Sequence, residues 1–336
     1  MQNLCVFKSS KILHTNIHSL SSLREKGSFI SRIRYVLNHY WIGSKLLYDN
    51  YKTAREIRKK DVNSLTRLDY LTLEQYRYDI RIGAPFVLLF AMPIIGYSAP
   101  LLALIAPKYL PSTLIMPKQK VEFLKDDANV SSSIIDSLIK LSKRQYDSEK
   151  IHDFISIIQF INKISSANDR FESIMSSIEE TSSLFNRNLN LSSIERQHLL
   201  LVHQSILHSS FISKYLLNNY SIIKQIENWQ NRIFNDDQIL IKNINKLSRY
   251  ELVLSLYSRG IYLHLNEMAN VLKYEQINHF NRIEKKKTEI IELSENILND
   301  WKQILYQWIK IHKSISKRNQ ISTSFLVHIG PLLTKK

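Results

Sequence analysis

The chain has 336 residues, 44% of them hydrophobic and 10% aromatic, and 46 Lys and Arg against 30 Asp and Glu give a formal charge of +16. That apolar content supports a real core and excludes a disordered basic tail. A single cysteine, Cys5, excludes a disulfide framework or a multi-cysteine metal site, and only six glycines leave little room for phosphate loops or turn-rich β folds.

Residues 1–34 have the composition of a mitochondrial presequence. Lys8, Lys11 and Arg24 fall in the first 24 residues with five serines and no acid, and Lys26, Arg32 and Arg34 follow against Glu25 alone. Such a segment forms a cationic amphipathic helix that a membrane potential draws inward. No uninterrupted apolar run suits a secretory signal. Residues 35–81 read as a helical segment ahead of a membrane. Its basic cluster Arg58-Lys59-Lys60 suits anionic headgroups or phosphate, and equally an ordinary solvated helix face.

Residues 82–107, IGAPFVLLFAMPIIGYSAPLLALIAP, hold 26 residues without a charge between Arg81 and Lys108. About 20 apolar residues cross a bilayer core as helix, so the spacing predicts a single proline-kinked transmembrane helix. Pro85, Pro93, Pro100 and Pro107 are 8, 7 and 7 apart and lie near one stripe. Each removes a backbone donor, and the freed carbonyls need partners from water or a neighbouring helix. The helix is therefore expected to pack on another copy of the chain or on another protein. A re-entrant hairpin bent at Gly96 or Pro100 also satisfies the pattern.

The run Asp79-x5-Pro85-Phe86, then Pro93, Pro100 and Pro107, then Lys108-Tyr109-Leu110-Pro111-Ser112-Thr113, resembles the leucine-zipper/EF-hand-containing transmembrane (LETM) family. In that family an aspartate precedes a proline-punctuated membrane helix that ends in a phrase like F-P-x-x-L-P-S-T. Pro117-Lys118-Gln119 with Phe123-Leu124 looks more like the short LETM-domain mitochondrial proteins, and Leu256-Tyr257-Ser258-Arg259-Gly260-Ile261 resembles their distal L-R-G-L element. The resemblance implies an inner-membrane protein whose carboxyl-terminal domain faces the matrix and binds mitochondrial ribosomes. Antiporter-type members carry a glutamate three residues after the second proline. Gly96 stands there, and 82–107 hold no ionisable residue, which argues against proton-coupled exchange. No D-x-D-x-D-G calcium loop and no terminal heptad run occurs. Asp79 is expected to anchor the start of the membrane helix.

Residues 108–318 are expected to form an α-helical bundle. No proline occurs from 118 to 330. Ile290, Leu293, Ile297, Trp301, Ile304, Trp308 and Ile311 step by three or four, and Ile222, Ile226, Trp229 and Ile233 repeat the pattern. Ile134, Leu138 and Leu141, then Phe154, Ile158, Ile161 and Ile164, do so again. The tryptophans are expected in the core. Arg282, Lys285, Lys286, Lys287, Lys313, Lys317 and Arg318 are the candidate ribosome contacts, because Lys and Arg on phosphate supply sequence-independent affinity. Residues 319–336 read as a tail.

The fold class expected is all-α. Nothing in the sequence calls for catalysis or a cofactor: no GxGxxG, P-loop, HExxH or G-x-S-x-G occurs. His14 and His18 are four apart but fall in the presequence. His198, His203 and His208 step by five, off any one helix face, and read as surface or partly buried. The expected role is a membrane-anchored ribosome tether, in contact with lipid. The alternative is a cation/proton antiporter for K+ or Ca2+, or its regulatory subunit. An assembly or morphology factor without ribosome contact is a third reading.

Overall fold

The computed structural model describes residues 29–61, 64–91, 107–144, 148–166, 170–208, 217–283, 293–317 and 323–334. Every regular element among them is helical. The chain divides into two units, one of residues 1–120 with 276–288, the other of 121–275 with 289–336.

The first unit contains α1 (Phe29–Ile57), α2 (Arg67–Ala91), a 3-10 turn (Pro107–Tyr109) and the first turn of α3 (Pro117–Arg144). Helices α1 and α2 pack on each other through a small core of Ala54, Ile57, Leu73 and Tyr76, with Leu65 against it. The chain between them is set by a reciprocal cap. The Thr66 amide donates to Asp69 Oδ2 at 3.0 Å and the Asp69 amide donates to Thr66 Oγ1 at 3.2 Å. That exchange satisfies two donors a helix start would otherwise orphan. Pro117 opens α3 at a position where its missing N–H costs nothing, and Gln119 Oε1 accepts the Met116 amide at 3.0 Å. The Pro-Lys-Gln phrase is thus a helix start.

The second unit holds the rest of α3 and α4 (Ser148–Ser166), α5 (Arg170–Ser176), α6 (Ile178–Asn188), α7 (Arg196–Leu207) and α8 (Asn219–Leu240). A 3-10 turn (Ile244–Lys246), α9 (Arg249–Tyr257), most of α10 (Leu265–Ile283), α11 (Glu295–Lys317) and α12 (Thr323–Thr334) complete it. One apolar core runs through these helices, and Trp229, Trp301 and Trp308 are among its largest buried side chains. Ile304 and Ile311 on α11, Ile222, Ile226 and Ile233 on α8, Ile134 and Leu138 on α3, and Ile161 and Ile164 on α4 are buried as the periodicity predicts. Ile290 lies outside the described residues.

Three expectations change. The segment read as a tail folds into α12, whose residues 324–333 are all buried. A helix apolar on every side belongs inside a core, and Gly330 with Pro331 near its end disguised it as a breaker-rich terminus. His198 and His203 are buried, not on the surface. Finally, the described residues do not form one straight helix over 82–107. Helix α2 carries residues 82–91, including Pro85 and Phe86, and the chain is next described at Pro107, already in a 3-10 turn that packs against α2. No helix among the described residues is long and apolar enough to cross a membrane. Pro93, Gly96 and Pro100 lie outside the described residues, as do His14, His18 and residues 1–28 of the expected presequence.

Candidate functional site

The two motif halves on either side of the uncharged stretch meet at one carboxylate. Asp79 on α2 is fully buried. Its Oδ1 accepts the Ser112 amide at 2.7 Å and the Gln75 side-chain amide at 3.1 Å, and its Oδ2 accepts the Ser112 hydroxyl at 2.8 Å. Burial raises the Asp79 pKa, and the Ser112 and Gln75 donors oppose that, as does the nearby Lys120 charge. Burial pushes the Lys120 ammonium down to about 8, with Asp79 acting against the shift. Around this carboxylate Pro107, Leu110 and Pro111 are buried. The next residues run along α1. Leu114 O is 3.1 Å from His39 Nε2, and a Cβ added at Gly43 would stand 2.5 Å from Thr113 O. Gly43 therefore lets the backbone of α1 come that close to Thr113. Ile115 O accepts Gln276 Nε2.

Chemically, this arrangement is an anchor. Both Asp79 oxygens are engaged by fixed donors of the protein, which suits holding Ser112 rather than trading ions with solvent. No group of three or more His, Cys, Asp or Glu side chains placed to hold a metal occurs among the described residues. Of the motif residues singled out in the sequence, Asp79, Pro107, Leu110, Pro111, Ser112 and Thr113 come together here. Pro85 and Phe86 lie on α2, and Pro93 and Pro100 lie outside the described residues. Gln75, His39, Gly43 and Lys120 were not foreseen. Of these, Lys120 alone had a cue, because it follows the Pro-Lys-Gln phrase.

The same unit exposes an aromatic face. Leu37, Trp41, Tyr48 and Tyr51 recur at helical spacing on α1, with Trp41 64% and Tyr48 57% exposed. The Lys45 ammonium lies 5.1 Å over the Trp41 ring and that of Lys52 lies 4.4 Å over Tyr48. Aromatic rings beside lysines are the composition that settles at a membrane–water interface.

The basic candidates are not brought together by described contacts. Lys313 is exposed on α11, Lys317 ends that helix, and Arg282 is near the end of α10. Lys285, Lys286, Lys287 and Arg318 lie outside the described residues. In the first unit, Lys59 pairs with Glu56 at 3.0 Å, Lys60 pairs with Asp69 at 3.0 Å, and Arg58 sits 5.4 Å over Tyr76. Local pairing accounts for that cluster.

Arg259, in the distal Arg-Gly element, is structural. Its Nη2 donates to Asp236 Oδ2 at 2.8 Å and to Asp237 Oδ1 at 2.5 Å, and its Nη1 donates to Ser255 O at 2.8 Å. His312 Nδ1 is 2.6 Å from the other Asp237 oxygen. At Gly330 of α12 a Cβ would stand 2.6 Å from Arg259 O, so the Arg-Gly turn and α12 touch backbone to backbone. His198 and His328 share a second buried contact, Nε2 to Nε2 at 2.8 Å, with Ser137 Oγ on His198 Nδ1 at 2.8 Å. Burial pushes His198 down to about 2 and His328 to about 4, so both are neutral at physiological pH.

Residues 65–329 match the family model described as LETM1-like, RBD. The LETM1 domain-containing protein YLH47, mitochondrial, of Saccharomyces cerevisiae is 25% identical over 246 residues, covering 71% of this chain and 52% of the yeast protein. The chain thus spans about half the length of that relative. No solved structure matches. With more than half its length under the family model, and with the Asp79 and Pro-Ser-Thr motif halves joined in space, the chain belongs to the LETM1-like, RBD family.

Proposed function

We propose that this chain is a non-catalytic tether of the mitochondrial inner membrane whose helical unit faces the matrix and docks mitochondrial ribosomes. The observation that carries the reading is the family model itself, which covers the uncharged stretch and the tryptophan-cored helices in one match. The mitochondrial name of the yeast relative supports the compartment, as does the basic, acid-poor composition of residues 1–24. Residues 82–107 supply the membrane contact, and the Trp41–Tyr48 face of α1 adds an interfacial one. Membrane lipid is one partner, and a second copy meeting this one at the membrane stretch is another.

Arg282, Lys285, Lys286, Lys287, Lys313, Lys317 and Arg318 are the proposed ribosome contacts. Their affinity is carried by ribosomal phosphate and falls as salt rises. The full chain in nanodiscs should pellet with mitochondrial ribosomes at low salt and return to the supernatant at high salt. A chain that stays in the supernatant at low salt contradicts the tether.

The alternative, a cation/proton antiporter or its regulatory subunit, rests on family membership. Within 79–107 the acid available to it is Asp79, which is already bound to Ser112 and Gln75. Flux of K+ or Ca2+ driven by a pH gradient through the reconstituted chain, and lost in Asp79→Asn, would put that reading first.

A further inference from the structure

Helix α1 turns one face into its unit and leaves an aromatic and basic face outside it. We propose that this outer face lies along an anionic lipid surface, with its rings at the boundary of headgroups and acyl chains and its lysines on lipid phosphates. The proposal rests on the membrane reading above, and names the lipid chemistry and the residues of the interfacial contact.

His39, Ile42, Ala54 and Ile57 of α1 are buried, and a Cβ at Gly43 would meet Thr113 O. Roughly half a turn away, Leu37, Trp41, Lys45, Tyr48, Lys52 and Arg55 follow one another at steps of three or four, which puts them on one stripe. All six are exposed. At helical rise the stripe runs for about 27 Å. Helix α1 carries five Lys and Arg against two acids, Asp49 and Glu56, and Glu56 is paired with Lys59 at 3.0 Å. No acid occurs from Phe29 to Tyr48.

The order of residues along the stripe selects the occupant. A groove on another protein suits an unbroken apolar row, but here a cation follows each ring. An RNA backbone suits the lysines and offers nothing to Leu37, which is 57% exposed. A leaflet of anionic lipid satisfies all of them: Leu37, Trp41 and Tyr48 enter to the depth of the acyl boundary, and the cations stay at the phosphates just above it. The ammonium groups already stand over the rings, Lys45 at 5.1 Å from Trp41 and Lys52 at 4.4 Å from Tyr48, so ring and charge sit one level apart. Helix α2, which packs on α1 in the same unit, carries residues 82–91 of the uncharged stretch. Each cation at an anionic surface strengthens the association about fivefold, and salt weakens it.

Trp41 reports on this face by itself. The other three tryptophans, Trp229, Trp301 and Trp308, are buried in the core, so the difference in fluorescence between the full chain and its Trp41→Phe variant isolates Trp41. The full chain is reconstituted in vesicles of phosphatidylcholine, or of equal parts phosphatidylcholine and phosphatidylglycerol, with lipid brominated near the glycerol end of its acyl chains. The expected result is a Trp41 signal that is quenched by brominated lipid and shielded from aqueous acrylamide in the anionic vesicles, and less so in the neutral ones or at high salt. Lys45→Gln combined with Lys52→Gln should return Trp41 toward acrylamide while the chain still floats with the vesicles. Trp41 open to acrylamide in floating anionic vesicles overturns the proposal and leaves the membrane reading standing. Equal quenching in neutral and anionic vesicles, or no change in the double variant, overturns the anionic-lipid contact. Shielding of Trp41 that appears only when mitochondrial ribosomes are added assigns the face to them and overturns it too. A chain that does not float with either vesicle overturns the membrane reading and this proposal together.

Discussion

The unit built from residues 121–275 and 289–336 and the unit that flanks the uncharged stretch are held together in different ways. The first has a continuous core that buries Trp229, Trp301 and Trp308 and seals one guanidinium, Arg259, between two aspartates. The second has a buried cluster of four residues and depends on individual polar ties: Thr66 with Asp69, Gln119 with Met116, and above all Asp79 with Ser112. Area stabilises the first, and geometry specifies the second. A large core tolerates the loss of one hydrogen bond. A junction centred on one carboxylate loses its register when that carboxylate goes.

The largest effects should therefore come from the tryptophan core. Trp301→Ala removes a fully buried ring and should destabilise by about 3–5 kcal/mol, read as a lower urea midpoint. Arg259→Met should fall in the same range, because it leaves the buried Asp237 uncompensated beside His312. A loss under ~1 kcal/mol from either substitution would break the contrast between the units.

Acid should act on both units through buried neutral histidines. His198, His328 and, in the flanking unit, His39 sit below the ordinary histidine value, the last pushed down to about 4 by burial. The unfolded chain then binds more protons than the folded one below pH 6.5, so their stability is present above that pH and is lost as pH falls toward 4. Each group contributes a slope of at most about 1.4 kcal/mol per pH unit. Urea midpoints that stay flat between pH 7 and pH 5 would contradict the burial of these rings.

Smaller in stability but sharper in position is Asp79→Ala. It strands the Ser112 amide and should cost about 1–3 kcal/mol. Faster hydrogen exchange should be confined to residues 107–116, with the tryptophan-cored helices unchanged. Exchange that rises everywhere would show that the two units do not differ as described. Gly43→Ala should mimic it at a similar magnitude, because the new methyl meets Thr113 O. Least of all, Lys60→Ala removes a pair whose lysine side chain is 47% exposed and should cost under ~1 kcal/mol.

The all-helical class and the core were legible because apolar residues recur every three or four positions for long runs, and Trp301, Trp308 and Trp229 lie where that period puts them. Helix ends were less legible where glycine does not mark them. His208 takes the left-handed cap of α7 at φ 52° and His264 adopts φ 53° before α10. Helix α12 was hidden by Gly330 and Pro331, which read as a chain end, although the missing Cβ of Gly330 serves close contact with Arg259 O. The motif drew attention to Asp79 and to Ser112 separately, yet their contact spans 33 positions and no local period encodes it. The partners of Arg259 and the pairing of His198 with His328 escaped for the same reason.

The central claim is that the flanks of residues 82–107 meet. Spin labels at Ile80→Cys and Lys108→Cys, in the Cys5→Ser full chain reconstituted in lipid nanodiscs, measure that separation directly. A single short distance, well below the ~39 Å of a continuous helix over the stretch, is the predicted result. A narrow distribution near that length would mean one straight span, and would contradict the junction at Asp79.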